Sequence, residues 1–243
     1  MILAILQGRL SSTRLPGKVL KDLHGKPMIV RQIERIQQSS KVDKLVVATS
    51  VDPSDDKLAI ALTELGVDVR RGPLDDVLER FRIVIDEFKP ETVVRLTADC
   101  PLADPDVIDF VIEQHLENGG DYTSNVLKPT YPDGLDVECI RGDSFRRMCE
   151  LDLSDMEREH VTMGLYSRPE VFSLQSIEQE PNRSQMRWTV DVADDLEFAR
   201  LVYSRLYDRN PRFRQDDIVA LVTSNPELSR TDADVARNSG LNK

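Results

Sequence analysis

Several features are scarce or missing, and each absence removes a class of protein. The three cysteines, Cys100, Cys139 and Cys149, are widely spaced and form no CxxC pair. An odd, scattered set is no disulfide framework, so a reducing, cytoplasmic setting is expected. No apolar run reaches the ~18 residues of a membrane-spanning helix, and no membrane partner is expected. The N-terminus carries no charged n-region or cleavage site, which predicts no signal peptide. Positive charge is in deficit: the net charge of −11 argues against a nucleic-acid surface, which is normally basic. No internal repeat, low-complexity tract or composition break marks a linker. The 243 residues read as one domain over 1–243, with an inserted or appended subregion at about 125–185.

What is present is organised around one stretch. Met1–Leu6 is a short apolar run that predicts a strand buried on both faces. Gln7–Lys18 follows as a loop with two glycines, a proline, three hydroxyls and the cations Arg9, Arg14 and Lys18. Ligands of open α/β sheets sit beyond the carboxyl ends of strands. A basic loop there, in an acidic chain, asks for a polyanion, most simply a nucleoside triphosphate. It is not a P-loop, which would need glycine at Ser12 and Ser or Thr at Val19, and it contains no GxGxxG. The residues suit another cradle, with backbone N–H groups around Gly8 and Ser11–Thr13, and Arg14 and Lys18 on the β and γ phosphates.

Beyond the loop, helices are predicted at Lys26–Gln38, from the Asp52–Asp55 turn to about Leu65, at Pro73–Phe88 and from Asp104-Pro105 to about Leu116. They alternate with strands at Lys44–Thr49, Val67–Arg71 and Glu91–Thr97. This rhythm predicts a Rossmann-like α/β/α fold with a mostly parallel sheet. From Asn118 the rhythm changes. Strands are expected at Asp121–Ser124, Leu135–Ile140, Val171–Ser176 and Arg187–Val190. Helices are expected at Asp143–Leu151, Glu157–Ser167, Asp194 to about Asp208 and Asp216–Thr223, followed by a polar tail.

Acidic residues recur where strands end. Asp99 follows a buried strand and should open into the crevice of the first loop. A carboxylate beside a triphosphate needs a divalent cation between them, and Mg²⁺ prefers one or two carboxylates plus phosphate oxygens. Asp99 is equally placed to start the turn before the Pro105 helix. Asp191 also ends a short strand, whereas Asp194, Asp195 and Glu197 are accounted for by capping and the helix dipole. Asp136 and Glu138 alternate and would share one strand face, as sugar ligands or as a solvated edge.

Gln7–Lys18 resembles the signature of the sugar cytidylyltransferases in its R-x-x-S-x-R-L-P-x-K pattern, closest to the spore-coat-polysaccharide branch. Thr97-Ala98-Asp99-Cys100-Pro101 differs from the Gln-Gly-Asp-Glu-Pro form of the ketodeoxyoctulosonate enzymes and fits that branch, whose acceptors are diverse. The resemblance implies transfer of CMP from CTP to a small acidic acceptor such as an ulosonic acid, with release of pyrophosphate, for surface polysaccharide. It implies Arg14, Lys18, Asp99 and Asp191 as catalytic, with the two aspartates holding Mg²⁺. Leu6, Gln7, Gly8, Arg9, Ser12, Arg80, Thr97 and Ala98 would contact the nucleotide. For Arg80 an ion pair with Asp76 is the other reading. Asp136, Glu138, Arg158 and His160 would face the acceptor, and a homodimer through residues 125–185 is expected. A phosphate or phosphonate acceptor, another nucleotide, or a non-catalytic nucleotide-binding role in polysaccharide assembly stay open.

Overall fold

The structure, a computed structural model, describes residues 1–228 and 230–231. Nine strands are found among them: β1 (Ile2–Gln7), β2 (Asp22–Leu23), β3 (Lys26–Pro27), β4 (Lys44–Ser50), β5 (Val69–Gly72), β6 (Thr92–Thr97), β7 (Tyr122–Ser124), β8 (Glu138–Arg141) and β9 (Leu174–Ser176). Seven form one sheet in the order β5-β4-β1-β6-β8-β7-β9, and β2 and β3 make a small separate hairpin. β5, β4, β1 and β6 run parallel, while β8 is antiparallel to both neighbours. The Rossmann-like expectation therefore holds.

Alternation along β1 builds the three layers. Ala4 and Leu6 pack against the buried faces of α1 (Met28–Ile36), α2 (Asp56–Glu64), α4 (Pro105–Asn118), α8 (Ala193–Leu206) and α9 (Gln215–Ser224). Leu3 and Ile5 point the other way, onto α3 (Val77–Phe88), α5 (Gly142–Cys149) and α7 (Met163–Tyr166). The chain builds β4 and β5 on one side of β1, then crosses to lay β6 on the other. That reversal opens a crevice at the carboxyl ends of β1 and β6, where doubly wound sheets bind ligands.

Several boundaries differ from the sequence reading, each for a local reason. α1 starts at Met28, because Lys26–Pro27 pairs with Asp22–Leu23. α3 starts at Val77, since Asp76 is its N-cap and accepts from the Glu79 N–H at 2.9 Å. The predicted helix Glu157–Ser167 is two, α6 (Asp155–Glu159) and α7, parted at Val161 with φ +51°. Of the predicted Leu135–Ile140 strand only Glu138–Ile140 pairs in the sheet, where the ladder runs on to Arg141. The Asn125 side chain donates to the Leu135 carbonyl and accepts from the Val137 N–H, both at 2.8 Å, in place of ladder bonds. Asp136 therefore shares no strand face with Glu138. Arg187–Val190 is no strand either: the Trp188 and Thr189 N–H groups both donate to the Asp133 carbonyl. The polar tail beyond Thr231 lies outside the described residues.

Gly134 permits that last arrangement. Its φ is +108°, and a Cβ there would stand 2.6 Å from the Thr189 nitrogen. A strained φ and a backbone overlap together should make Gly134→Ala cost roughly 2–4 kcal/mol. A urea midpoint within error of wild type would refute the close approach.

Candidate active site

The crevice is a cleft of about 490 Å³. Its floor is the end of the sheet, where Gln7 stands opposite Thr97 and the Ala98 N–H donates to the Gln7 carbonyl at 2.8 Å. Gly8 keeps this floor tight, since a Cβ there would meet the Ala98 Cβ at 2.9 Å. The basic loop leaves β1 under the control of buried Asp55, whose carboxylate accepts from the Leu10 N–H at 2.6 Å. It turns back at Gly17 (φ +69°) into a short 3₁₀ turn, Lys18–Leu20.

That turn aims Lys18 inward. Its Nζ donates to the Val190 carbonyl at 2.7 Å and lies 3.0 Å from Asp191 Oδ1 and 3.2 Å from Asp99 Oδ2. Arg14 reaches the same Asp191 oxygen at 2.9 Å. The Val190 N–H donates to the Asp99 carbonyl at 2.8 Å, which docks the segment carrying Asp191 against the end of β6. Burial works to raise the Asp99 pKa. The Lys18 ammonium and the hydrogen bonds from Thr97 and Lys18 outweigh it and hold the carboxyl at about 2. Burial likewise opposes the Lys18 charge, but Asp99 and Asp191 outweigh it and raise the ammonium's pKa.

Asp191 is held from behind. Buried Arg187 donates to Asp191 Oδ2 at 2.8 Å and to Asp133 Oδ2 at 2.9 Å, and it pairs with Asp195 at 3.3 Å. Asp195 caps α8 as expected, accepting from the Asp191 and Val192 N–H groups, and Arg230 pairs with it too.

Gln7, Gly8, Arg9, Ser12, Arg14, Lys18, Arg80, Thr97, Ala98, Asp99, His160 and Asp191 all line the cleft. Leu6 is packed in the core instead. Arg80 is buried, donates to the Leu74 carbonyl at 3.3 Å, and leaves Nε and Nη1 without a hydrogen-bond partner. Burial, reinforced by the Arg9 guanidinium, lowers its pKa. A desolvated cation with open donors is poised for an anion or a carbonyl oxygen. Its alternative pairing with Asp76 is not formed, because Asp76 is held by Arg158.

Three residues expected at the acceptor stand outside the cleft lining. Arg158 ties α6 to the N-cap of α3 through Asp76, with Nε at 2.8 Å. Glu138 is buried between Arg95, the Tyr122 hydroxyl at 2.6 Å and the Thr162 hydroxyl at 2.9 Å. Asp136 is half-buried after the Gly134 turn. Cys100 is a packing residue, its thiol pushed far up by burial. The sequence reading did not nominate Arg95, which lines the cleft and donates to Gln7 Oε1 at 3.3 Å. Its signal was an arginine breaking the apolar run Val93-Val94-Arg95-Leu96.

The carboxylates fit a small hard cation. Both reach one point, now taken by the Lys18 ammonium, and Mg²⁺ is commonly held by one or two carboxylates with phosphate oxygens completing its shell. Among the described residues, no group of three or more His, Cys, Asp or Glu forms a protein-only metal cage.

Known proteins place these features in a wider set. A family model described as cytidylyltransferase matches residues 3–216. The spore coat polysaccharide biosynthesis protein SpsF of Bacillus subtilis (strain 168) is 34% identical over 236 residues, covering 94% of this chain and 96% of that one. The 3-deoxy-manno-octulosonate cytidylyltransferase of Anaeromyxobacter dehalogenans (strain 2CP-C) is 38% identical over 116 residues, 46% of each chain. A cytidylyltransferase structure from Leptospira borgpetersenii superposes with a TM-score of 0.88 at 27% identity, covering 93% of this chain and 95% of that one. With a family model across most of its length and a relative aligned nearly end to end, this chain belongs to the cytidylyltransferase family.

Proposed function

We propose that the chain transfers CMP from CTP to an acidic sugar, an ulosonic acid or a close analogue, and releases pyrophosphate for surface-polysaccharide synthesis. What carries this is the meeting of Arg14 and Lys18, from the β1 loop, with Asp99 and Asp191 at the end of β6. Loop cations that can turn to phosphates, paired with carboxylates that would hold a metal, suit a triphosphate being cut.

An acceptor hydroxyl oxygen attacks the α-phosphorus in line and its proton passes to solvent; the new O–P bond forms, and the bond from the α-phosphorus to the oxygen bridging to the β-phosphorus breaks with its electron pair on pyrophosphate. Arg14 and Lys18 oppose the charge that builds on the leaving group. Asp99 and Asp191 would hold Mg²⁺, which when bound neutralises phosphate oxygens. Arg80 would meet the nucleotide, with the backbone at Gln7–Gly8 and Thr97–Ala98 facing the base. His160 and Arg95 are the cleft's groups for the acceptor. Positioning and electrostatics carry the step, and no side chain is assigned as general base. Homodimerisation through residues 125–185 belongs to the same proposal.

The test is pyrophosphate release from a panel of CTP, UTP, GTP and ATP against 3-deoxy-manno-octulosonate, N-acetylneuraminate and sugar phosphates. CTP with an acidic sugar should lead. UTP or GTP outperforming CTP would overturn the base assignment. Preference for a sugar phosphate would overturn the acceptor class. Binding of CTP with no release under any condition would leave a non-catalytic partner.

A further inference from the structure

Lys18 occupies the place that a divalent cation needs. Its ammonium stands 3.0 Å from Asp191 Oδ1 and 3.2 Å from Asp99 Oδ2. Arg14 is on the same Asp191 oxygen at 2.9 Å, and Arg187 is on the other at 2.8 Å. Mg²⁺ binds oxygen at ~2.0–2.1 Å. It cannot share these lone pairs with an ammonium, and the two charges would repel strongly at such separations. We infer that Lys18 and Arg14 act as internal counter-ions that close the carboxylate pair to metal until a triphosphate draws them away. The chain then takes up its divalent cation with the nucleotide rather than before it. This rests on the nucleotide-transfer reading given above.

The three cations around Asp191 are not equivalent. Arg187 is buried and also committed to Asp133 and Asp195, so it stays and keeps Asp191 aimed. Arg14 is exposed in the loop; Lys18 is buried and held also by the Val190 carbonyl at 2.7 Å, but its ammonium is a point charge on a flexible four-carbon stem beside Gly17 and has no planar fork to satisfy, as Arg187 has. Both can turn toward phosphate oxygens. The phosphates then complete a metal shell for which the protein supplies two carboxylates. Because such coupling is reciprocal, metal and nucleotide strengthen each other's binding by the same factor.

Mn²⁺ titrated alone into the nucleotide-free protein, followed by its electron paramagnetic resonance signal, tests this. Lys18→Met should bind Mn²⁺ at least about tenfold more tightly than wild type, since a full adjacent charge is gone. Adding Asp99→Asn to Lys18→Met should reverse the gain. Should Lys18→Met fail to fold, Arg14→Met at its exposed position should tighten Mn²⁺ by at least about threefold. Affinity within twofold of wild type in the variant tested, or wild type binding Mn²⁺ alone as tightly as with CTP, overturns the inference. The variant comparison uses neither nucleotide nor acceptor, so its outcome is separate from that of the nucleotide panel.

Discussion

Asp99→Asn should lower Mg²⁺-dependent CMP transfer by about 10²–10³-fold, the loss typical of removing one preorganised electrostatic group at a reacting centre. Asp99 is held at about 2, so it is ionised throughout the neutral range and the change removes a full negative charge. Two consequences separate the metal from other roles. The residual activity should need far more Mg²⁺, because one of the two proposed protein ligands is then neutral. Thermal stability should fall modestly, by the interaction with Lys18 that holds the carboxyl low, while the fold persists because Lys18 keeps its bonds to the Val190 carbonyl and Asp191. Steady-state rates over a Mg²⁺ series, with a melting curve beside them, measure both. Near-normal turnover at ordinary Mg²⁺ would remove Asp99 from the metal site.

The half of the site on the β1 loop was legible because its signals are local. An apolar run ends at Leu6, the strand ends one residue later, and the cations that follow stand at the carboxyl end of the sheet. Asp99 was legible for the same reason at the end of β6. His160 does line the cleft, but the places of Arg158 and Glu138 outside it were not legible, because both are committed to partners far away in sequence. Arg158 is bound to Asp76 across 82 residues, and Glu138 to Arg95 across 43. An acid on a strand reads the same whether it awaits a sugar or already holds a guanidinium.

The misread elements share a cause of another kind. Val161 is β-branched and sits at φ +51°, where such residues are outliers, so nothing local announced the break between α6 and α7. That break turns His160 and Glu159 into the cleft wall. The Thr162 hydroxyl, bonded to Glu138, fastens the turn to the same buried carboxylate that holds Arg95. Glu138 thus shapes the cleft from outside it. Likewise, Arg187–Val190 has the composition of a strand, but its backbone is claimed by Asp133 and Asp99 across the chain.

Arg187→Met should destabilise the protein by about 3–5 kcal/mol, the cost of stripping the cation from a buried ion cluster. Arg187 is 2% exposed, and it faces Asp133 at 7% and Asp195 at 2%. Methionine fills similar space and leaves the Asp133–Asp191–Asp195 group short of a charge; Arg230 on Asp195 relieves it only in part. The pH dependence identifies the cause. In wild type, burial works to raise the Asp195 pKa, but hydrogen bonds from the Asp191 N–H and Arg187 outweigh it. A carboxyl so depressed stabilises the fold above the unfolded pKa of ~3.9, and that contribution is lost as pH falls through the folded value. Without Arg187 the burial of Asp195 is opposed by less, so its carboxyl rises from its wild-type position and the stability that this group supplies at neutral pH is reduced, a difference that vanishes as acid protonates it in both proteins. The gap between variant and wild type should therefore narrow from pH 7 to pH 4 in urea titrations. Lys at this position should not restore wild-type stability, because one ammonium cannot span the fork that a guanidinium presents to three carboxylates. A loss below about 1 kcal/mol, or a gap that widens in acid, would mean that Asp191 is aimed by its backbone alone.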